Sequence, residues 1–150
     1  MRGLNSKSKT AATKTPEDEL FRAVERVVVR ANLKGFTGDL QFIQNDYAKR
    51  IFSKLRSSLG GVYAWRADHS ADLAEKERMT RAADLAFRQA FALCPYSPEA
   101  VFRYTTLLTK LNRLDDALLL AKTCQKLEPG NGQFTGLAQK LKNMKATGAR

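Results

Sequence analysis

Apolar residues recur every three or four positions along most of this chain, and no stretch alternates between apolar and polar with period two. The pattern predicts helices and no sheet. The first helix opens at "TPEDEL", where Thr15 can cap, Pro16 fits the first helical position, and Glu17, Asp18 and Glu19 suit the positive end of the helix dipole. Its apolar face runs through Leu20, Val24, Val27, Val28 and Ala31 to a stop near Lys34-Gly35. A second helix, capped by Asp39, carries Ile43, Tyr47, Ile51, Leu55 and Leu59 at every fourth position, flanked by Phe42, Ala48 and Phe52. Gly60-Gly61 is expected to end it. A third segment starts at Val62 and holds Tyr63, Ala64 and Trp65, but nothing in "ADHSADLAEKERMT" marks where it gives way to the next helix. That helix is expected from about Thr80 to Leu93, with Ala83, Leu85, Phe87, Ala90 and Phe91 at helical spacing.

Proline punctuates the second half. Pro95 ends one helix, Ser97 and Pro98 open a fifth that runs to about Leu111, and "LNRLDD" turns the chain into a sixth from Asp115 to about Leu127. Pro129 in "EPGNG" ends that one. A last amphipathic segment with Phe134, Leu137, Ala138 and Leu141 reaches about Lys145.

The two proline stops lie 34 residues apart, and the residues before them share one spacing: Ala83-x3-Phe87-x2-Ala90-x4-Pro95, then Ala117-x3-Ala121-x2-Cys124-x4-Pro129. Val101, Tyr104, Thr105 and Leu108 stand ahead of the second unit, where the first helix of a hairpin would lie. This pattern resembles the tetratricopeptide repeat, in which small residues let two antiparallel helices approach and proline closes each hairpin. The resemblance implies an all-α fold: a tetratricopeptide-like solenoid of about two antiparallel hairpins, with extra N-terminal helices and a C-terminal capping helix. The pattern departs from the family at Val101, Thr105 and Cys124, and Trp65 is out of register in the first unit. The corresponding segments are a basic tail over 1–15 expected to be disordered, two helices over 16–61, two hairpins over 62–131, and a capping helix with a basic tail over 132–150. A second resemblance rests on "FSKLRSSLGGVYAWR" and "AADLAFRQAFALCPYSPEAVFRY". These runs look like the soluble C-terminal region of bacterial multi-spanning proteins similar to protein O-mannosyltransferases, which implies a detached tail, a truncated relative or one piece of a longer protein.

Composition adds one feature. The formal net charge is +11 over 150 residues, with 13 Lys/Arg against 9 Asp/Glu in 1–75 and 13 against 6 in 76–150, so the excess is spread along the chain. Such a balance points to an acidic protein, a nucleic acid or an anionic surface as partner. Against nucleic acid, the aromatics fall mostly on apolar stripes and form no stacking platform. No apolar run approaches the roughly 20 residues of a membrane span, and no apolar stretch follows the basic start, so a cytosolic protein is expected. Cys94 and Cys124 both sit in apolar helical patterns and are expected to be reduced, packed thiols.

No constellation of residues calls for catalysis, a metal or a cofactor. His69 is the only histidine, Asp115-Asp116 opens a helix, and Gly60-Gly61 lacks the glycine spacing and lysine of a phosphate loop. The expected activity is therefore non-catalytic binding of a protein or peptide, acidic in character, on the concave face that first helices of stacked hairpins present. With Val101, Tyr104, Thr105, Leu108 and Leu111 turned to the core, the fifth helix would show Glu99, Phe102, Arg103, Thr106 and Lys110. These are the candidate binding residues. A well-known subset of the repeat family grips C-terminal carboxylates with paired lysine and asparagine, and Phe102 and Thr106 occupy those places here.

Overall fold

Asn45 decides where the longest helix begins. Asp39 caps only a five-residue helix, α2 (Leu40–Gln44), its carboxylate accepting from the Gln41 N–H at 2.8 Å and from that of Phe42. Asn45 then takes an extended backbone and caps again, accepting from the Ala48 N–H at 3.0 Å, and α3 (Asp46–His69) follows. The single helix expected from Asp39 is thus two. The expected stop at Gly60-Gly61 does not occur either, since both residues lie inside α3 with helical backbones. Glycine ends a helix when the chain must turn left-handed; in α3 it serves close packing instead. The next helix, α4 (Leu73–Leu93), starts well before Thr80 because Asp72 caps it, accepting from the Ala74 N–H at 2.9 Å.

The computed structural model describes residues 16–26 and 32–148. The expected tail over 1–15, the Thr15 cap and the apolar positions Val27, Val28 and Ala31 lie outside the described residues. Among the described residues every element is helical, from α1 (Pro16–Val24) through α5 (Pro98–Lys110) and α6 (Leu114–Leu127) to α7 (Gly132–Gly148).

α3 and α4 form an antiparallel hairpin, as their paired positions show: Ser53 meets Ala90, Gly60 meets Phe87, and Arg66 meets Glu75. The side of α3 that is buried carries Ser53, Ser57, Gly60 and Ala67, all small. The large residues expected to form its buried face do the opposite. Tyr47, Ile51, Leu55 and Leu59 are exposed, and so are Phe52, Val62 and Trp65. Small side chains win this face because they let the two helix axes approach, and dispersion across a close backbone contact replaces interdigitated large side chains. Leu85 of α4 is also exposed, contrary to expectation.

The second hairpin follows the sequence pattern more closely. α5 buries Val101, Tyr104, Thr105 and Leu108 as expected, while Leu111 stays partly exposed. Ser97 stands at the N-cap of α5 without a side-chain cap bond, so Pro98 and Glu99 carry that start. The α5–α6 turn closes at Asn112, a non-glycine residue at φ 58°, with the Arg113 N–H donating to the Leu108 carbonyl at 2.8 Å and the Asn112 N–H to that of Thr109 at 3.0 Å. The residues related by the 34-residue spacing, Ala83, Phe87 and Ala90 in α4 and Ala117, Ala121 and Cys124 in α6, are all buried. α7 runs back along α6, with Gln125 meeting Thr135 and Asp115 meeting Lys145, and closes the core with Phe134, Leu137, Ala138 and Leu141. Full burial of a side chain like Phe134 stabilises by about 1.5–3 kcal/mol. At the other end α1 packs on α6 and sets the Phe21 ring edge-on to Phe91, centroids 5.2 Å apart.

Asp84 joins three helices at the centre. Its carboxylate accepts from Arg88 at 2.6 Å, from Arg113 at 2.8 Å and, at 3.4 Å, from the Tyr104 hydroxyl, while Arg113 also donates to Asp116 at 2.7 Å. A half-buried carboxylate with these partners is held by charge-assisted bonds rather than left as an orphaned charge.

Candidate functional site

The outward side of α5 follows from the pattern of its buried side. With Val101, Tyr104, Thr105 and Leu108 turned inward, helical geometry leaves Glu99, Phe102, Arg103, Thr106 and Lys110 outside, and all of them are exposed. The structure then divides these residues between two grooves on either side of α5.

The first groove lies between α5 and α7 and encloses about 840 Å³. Glu99, Phe102, Thr106 and Lys110 line it from α5, and Leu137, Lys140, Leu141 and Met144 from α7. Its floor is apolar, and two lysines stand at its edge with one carboxylate. The second groove, about 470 Å³, lies between α3, α4 and the other flank of α5, where Ala64, Phe87 and Leu107 meet Arg103, Thr106 and Lys110. Thr106 and Lys110 thus border both.

The polar groups on this ridge are already engaged. Arg103 pairs with Glu99 at 3.0 Å and donates Nη1–H to the Ser57 carbonyl of α3 at 3.3 Å. Lys110 pairs with Asp68 of α3, and the Thr106 hydroxyl donates to the Phe102 carbonyl at 2.8 Å. Arg103 and Lys110 therefore lean toward α3, and Phe102 is the large side chain left facing the α5–α7 groove. The α7 residues of that groove were not among the candidates read from the sequence. The apolar spacing of Leu137 and Leu141 assigned them to the core, which they also serve, and only the pairing of α7 with α6 shows that the same helix forms a groove wall.

The cysteines, the histidine and the Asp115-Asp116 pair each have a structural setting. Cys94 and Cys124 are buried free thiols, and burial pushes both thiols up from their ordinary range. The Cys124 Sγ–H donates to the Pro95 carbonyl at 3.3 Å, so this thiol links one hairpin's closing proline to the next hairpin. His69 stacks on Trp65 with ring centroids 4.2 Å apart, and its Nδ1 meets the Trp65 carbonyl at 2.8 Å. Asp115 pairs with Lys145 and Asp116 with Arg113. Among the described residues no three His, Cys, Asp or Glu side chains gather as a metal site would require, and no helix is long and apolar enough to cross a membrane.

Tyr96, in the α4–α5 turn, reaches back across the first hairpin. Its hydroxyl donates to Asp46 at the start of α3, and the Arg50 guanidinium lies 5.1 Å from its ring centroid. Burial, then the bond to Asp46, push the Tyr96 phenol up. The same bond and the Arg50 partner hold Asp46 below the usual carboxylate range.

No protein-family model, curated protein or solved structure matches this chain.

Proposed function

We propose that this chain is a non-catalytic protein-interaction module of two tetratricopeptide-like hairpins, α3–α4 and α5–α6, that binds an acidic peptide or helix along α5. The observation that carries this reading is the α5–α7 groove: an apolar floor with Phe102 in one wall and Lys110 and Lys140 at its edge. A groove of this shape accepts the apolar stripe of a helix or extended peptide, and Lys140, which has no ion-pair partner among the described residues, favours carboxylates beside that stripe. The tetratricopeptide reading is supported by the burial of the 34-residue-spaced positions in α4 and α6. The first hairpin is longer than the second, with helices of 24 and 21 residues against 13 and 14, which accounts for Trp65 falling out of register.

The experiment is a pull-down with the purified chain at low and high salt with nuclease added, followed by Phe102→Ala and Lys140→Glu variants against any retained protein. A partner that survives salt and nuclease and is weakened at least tenfold by Phe102→Ala, or about 1.4 kcal/mol, supports the groove. Retention of nucleic acid that disappears with salt would assign binding to the overall charge instead. Arg103→Ala is the weaker test, because Arg103 also holds α5 to α3.

A further inference from the structure

The outer side of α3 is the largest feature that the α5 groove does not use. At 3.6 residues per turn, Tyr47, Ile51, Leu55, Leu59, Val62 and Trp65 fall on one side of the helix, with Ser58 among them and Arg66 and His69 at its C-terminal end, opposite the buried Ser53, Ser57, Gly60 and Ala67. Tyr47 is 75% exposed, Trp65 61% and Leu55 56%. Taking about 150–250 Å² for an aromatic side chain and less for an aliphatic one, the exposed parts amount to roughly 700 Å². Soluble monomers seldom show a contiguous apolar patch above about 300–600 Å².

Charge narrows what can cover this stripe. Lys54 flanks it on one edge and Arg56 on the other; both are exposed, and neither has an ion-pair partner among the described residues. The two acids of α3 lie off the stripe and are engaged, Asp46 with Tyr96 and Arg50, Asp68 with Lys110. A second copy packed antiparallel on the stripe would set Lys54 and Arg56 against their own counterparts, and the basic N-terminal segment carries the same sign.

Aliphatic residues along the middle, a tyrosine and a tryptophan toward the two ends, and cations at both edges are the arrangement of a helix lying in a membrane interface. We propose that α3 is a membrane-surface helix that seats its outer stripe at the headgroup boundary of an anionic phospholipid bilayer. In that position Lys54 and Arg56 meet the anionic headgroups with their stems along the apolar surface.

Trp65 is the only tryptophan of the chain, so its emission reports on the stripe alone. The test mixes the full chain with phosphatidylcholine vesicles and with vesicles that also contain phosphatidylglycerol, reading co-sedimentation and Trp65 emission together. Expected are co-sedimentation and a blue shift with the anionic vesicles only. Leu55→Ser with Ile51→Ser should reduce binding at least tenfold, and Lys54→Glu with Arg56→Glu should remove the preference for anionic lipid. The side chains of all four residues are exposed, so the variants should keep the fold and near-parent helical content, with only a small drop in melting temperature from the serines. Co-sedimentation without a blue shift would mean that the basic tails adsorb to the surface, and it overturns the proposal. So does the absence of vesicle binding, whether the chain is monomeric or forms a dimer that Leu55→Ser dissociates.

Discussion

Gly60 lies directly against the ring of Phe87: a Cβ at Gly60 would stand 2.8 Å from two of its ring carbons. The adjacent Gly61 has only the tip of Arg103 near it, at 3.3 Å. The two glycines, side by side in one helix, therefore have opposite reasons to be there.

Gly60→Ala is expected to destabilise by about 1–2 kcal/mol, because overpacking against Phe87 outweighs the better helix propensity of alanine. Gly61→Ala is expected to stabilise by about 0.5–1 kcal/mol, since the Arg103 end can move and the interior glycine is lost. Urea denaturation of both variants checks the pair, and equal effects would show that Phe87 does not set the approach of α3 to α4.

The small polar residues of the same face should behave as differently. Ser53 donates to the Ala90 carbonyl at 2.8 Å in a buried setting, so Ser53→Ala should cost about 1 kcal/mol. The Ser57 hydroxyl is buried without a hydrogen-bond partner, so Ser57→Ala should be neutral or stabilise by up to about 1 kcal/mol. The thermal midpoint should fall for Ser53→Ala and stay level or rise for Ser57→Ala.

Asn112 holds the left-handed position that ends α5. Asn112→Gly should be neutral or slightly stabilising, whereas Asn112→Val should cost about 1–2 kcal/mol because a branched side chain meets the backbone there. Melting temperatures of the two variants give the comparison.

Tyr104 makes stability depend on alkaline pH. Burial, then the nearby Asp84 charge, push its phenol up to about 12, above the ordinary value near 10. The neutral phenol's contribution is therefore complete below about pH 10 and is lost as pH rises through about 12. Tyr104→Phe keeps the ring stacked on Phe87 and gives up only a 3.4 Å bond, so it should cost less than about 1 kcal/mol at pH 7. Between pH 9 and 12 it should lose less stability than the parent chain does. Denaturation midpoints across that range decide, and parallel curves would falsify the assignment.

What could be read beforehand depended on whether local signals and tertiary packing agreed. From Pro98 onward they did: Pro98, the Asp115-Asp116 start and Pro129 mark helix ends, and Phe134, Leu137, Ala138 and Leu141 are buried where their spacing places them. Before Pro95 they conflicted. The four-residue spacing of Tyr47, Ile51, Leu55 and Leu59 identified a helix but assigned the wrong side to the core, because the burial of Ser53, Ser57 and Gly60 arises from how closely α4 approaches. Asn45 and Asp72 each cap a helix with one side-chain bond, yet neither is preceded by a visible break, so both boundaries were missed. On α5 the outward residues were legible from helical spacing alone. That Phe102 shares its groove with Leu137, Leu141 and Met144 was not, since α7 is distant in sequence and its apolar residues already had a role in the core.

The inward face of α3 also bears on the calorimetry of this protein. The heat-capacity change of unfolding and the denaturant m-value both scale with apolar surface newly exposed to water. Detaching this 24-residue helix would uncover Ser53, Ser57, Gly60, Ala67 and part of Tyr63 on its own side, while most of its large side chains are already largely wet in the folded state. The share of both quantities that α3 itself contributes should therefore be small for a helix of its length, the larger share coming from the α4 side that it covers, Phe87 and Ala90 included. A scan that follows only the bulk transition would be dominated by α4 to α7, and amide hydrogen exchange along α3 is the measurement that would resolve its opening.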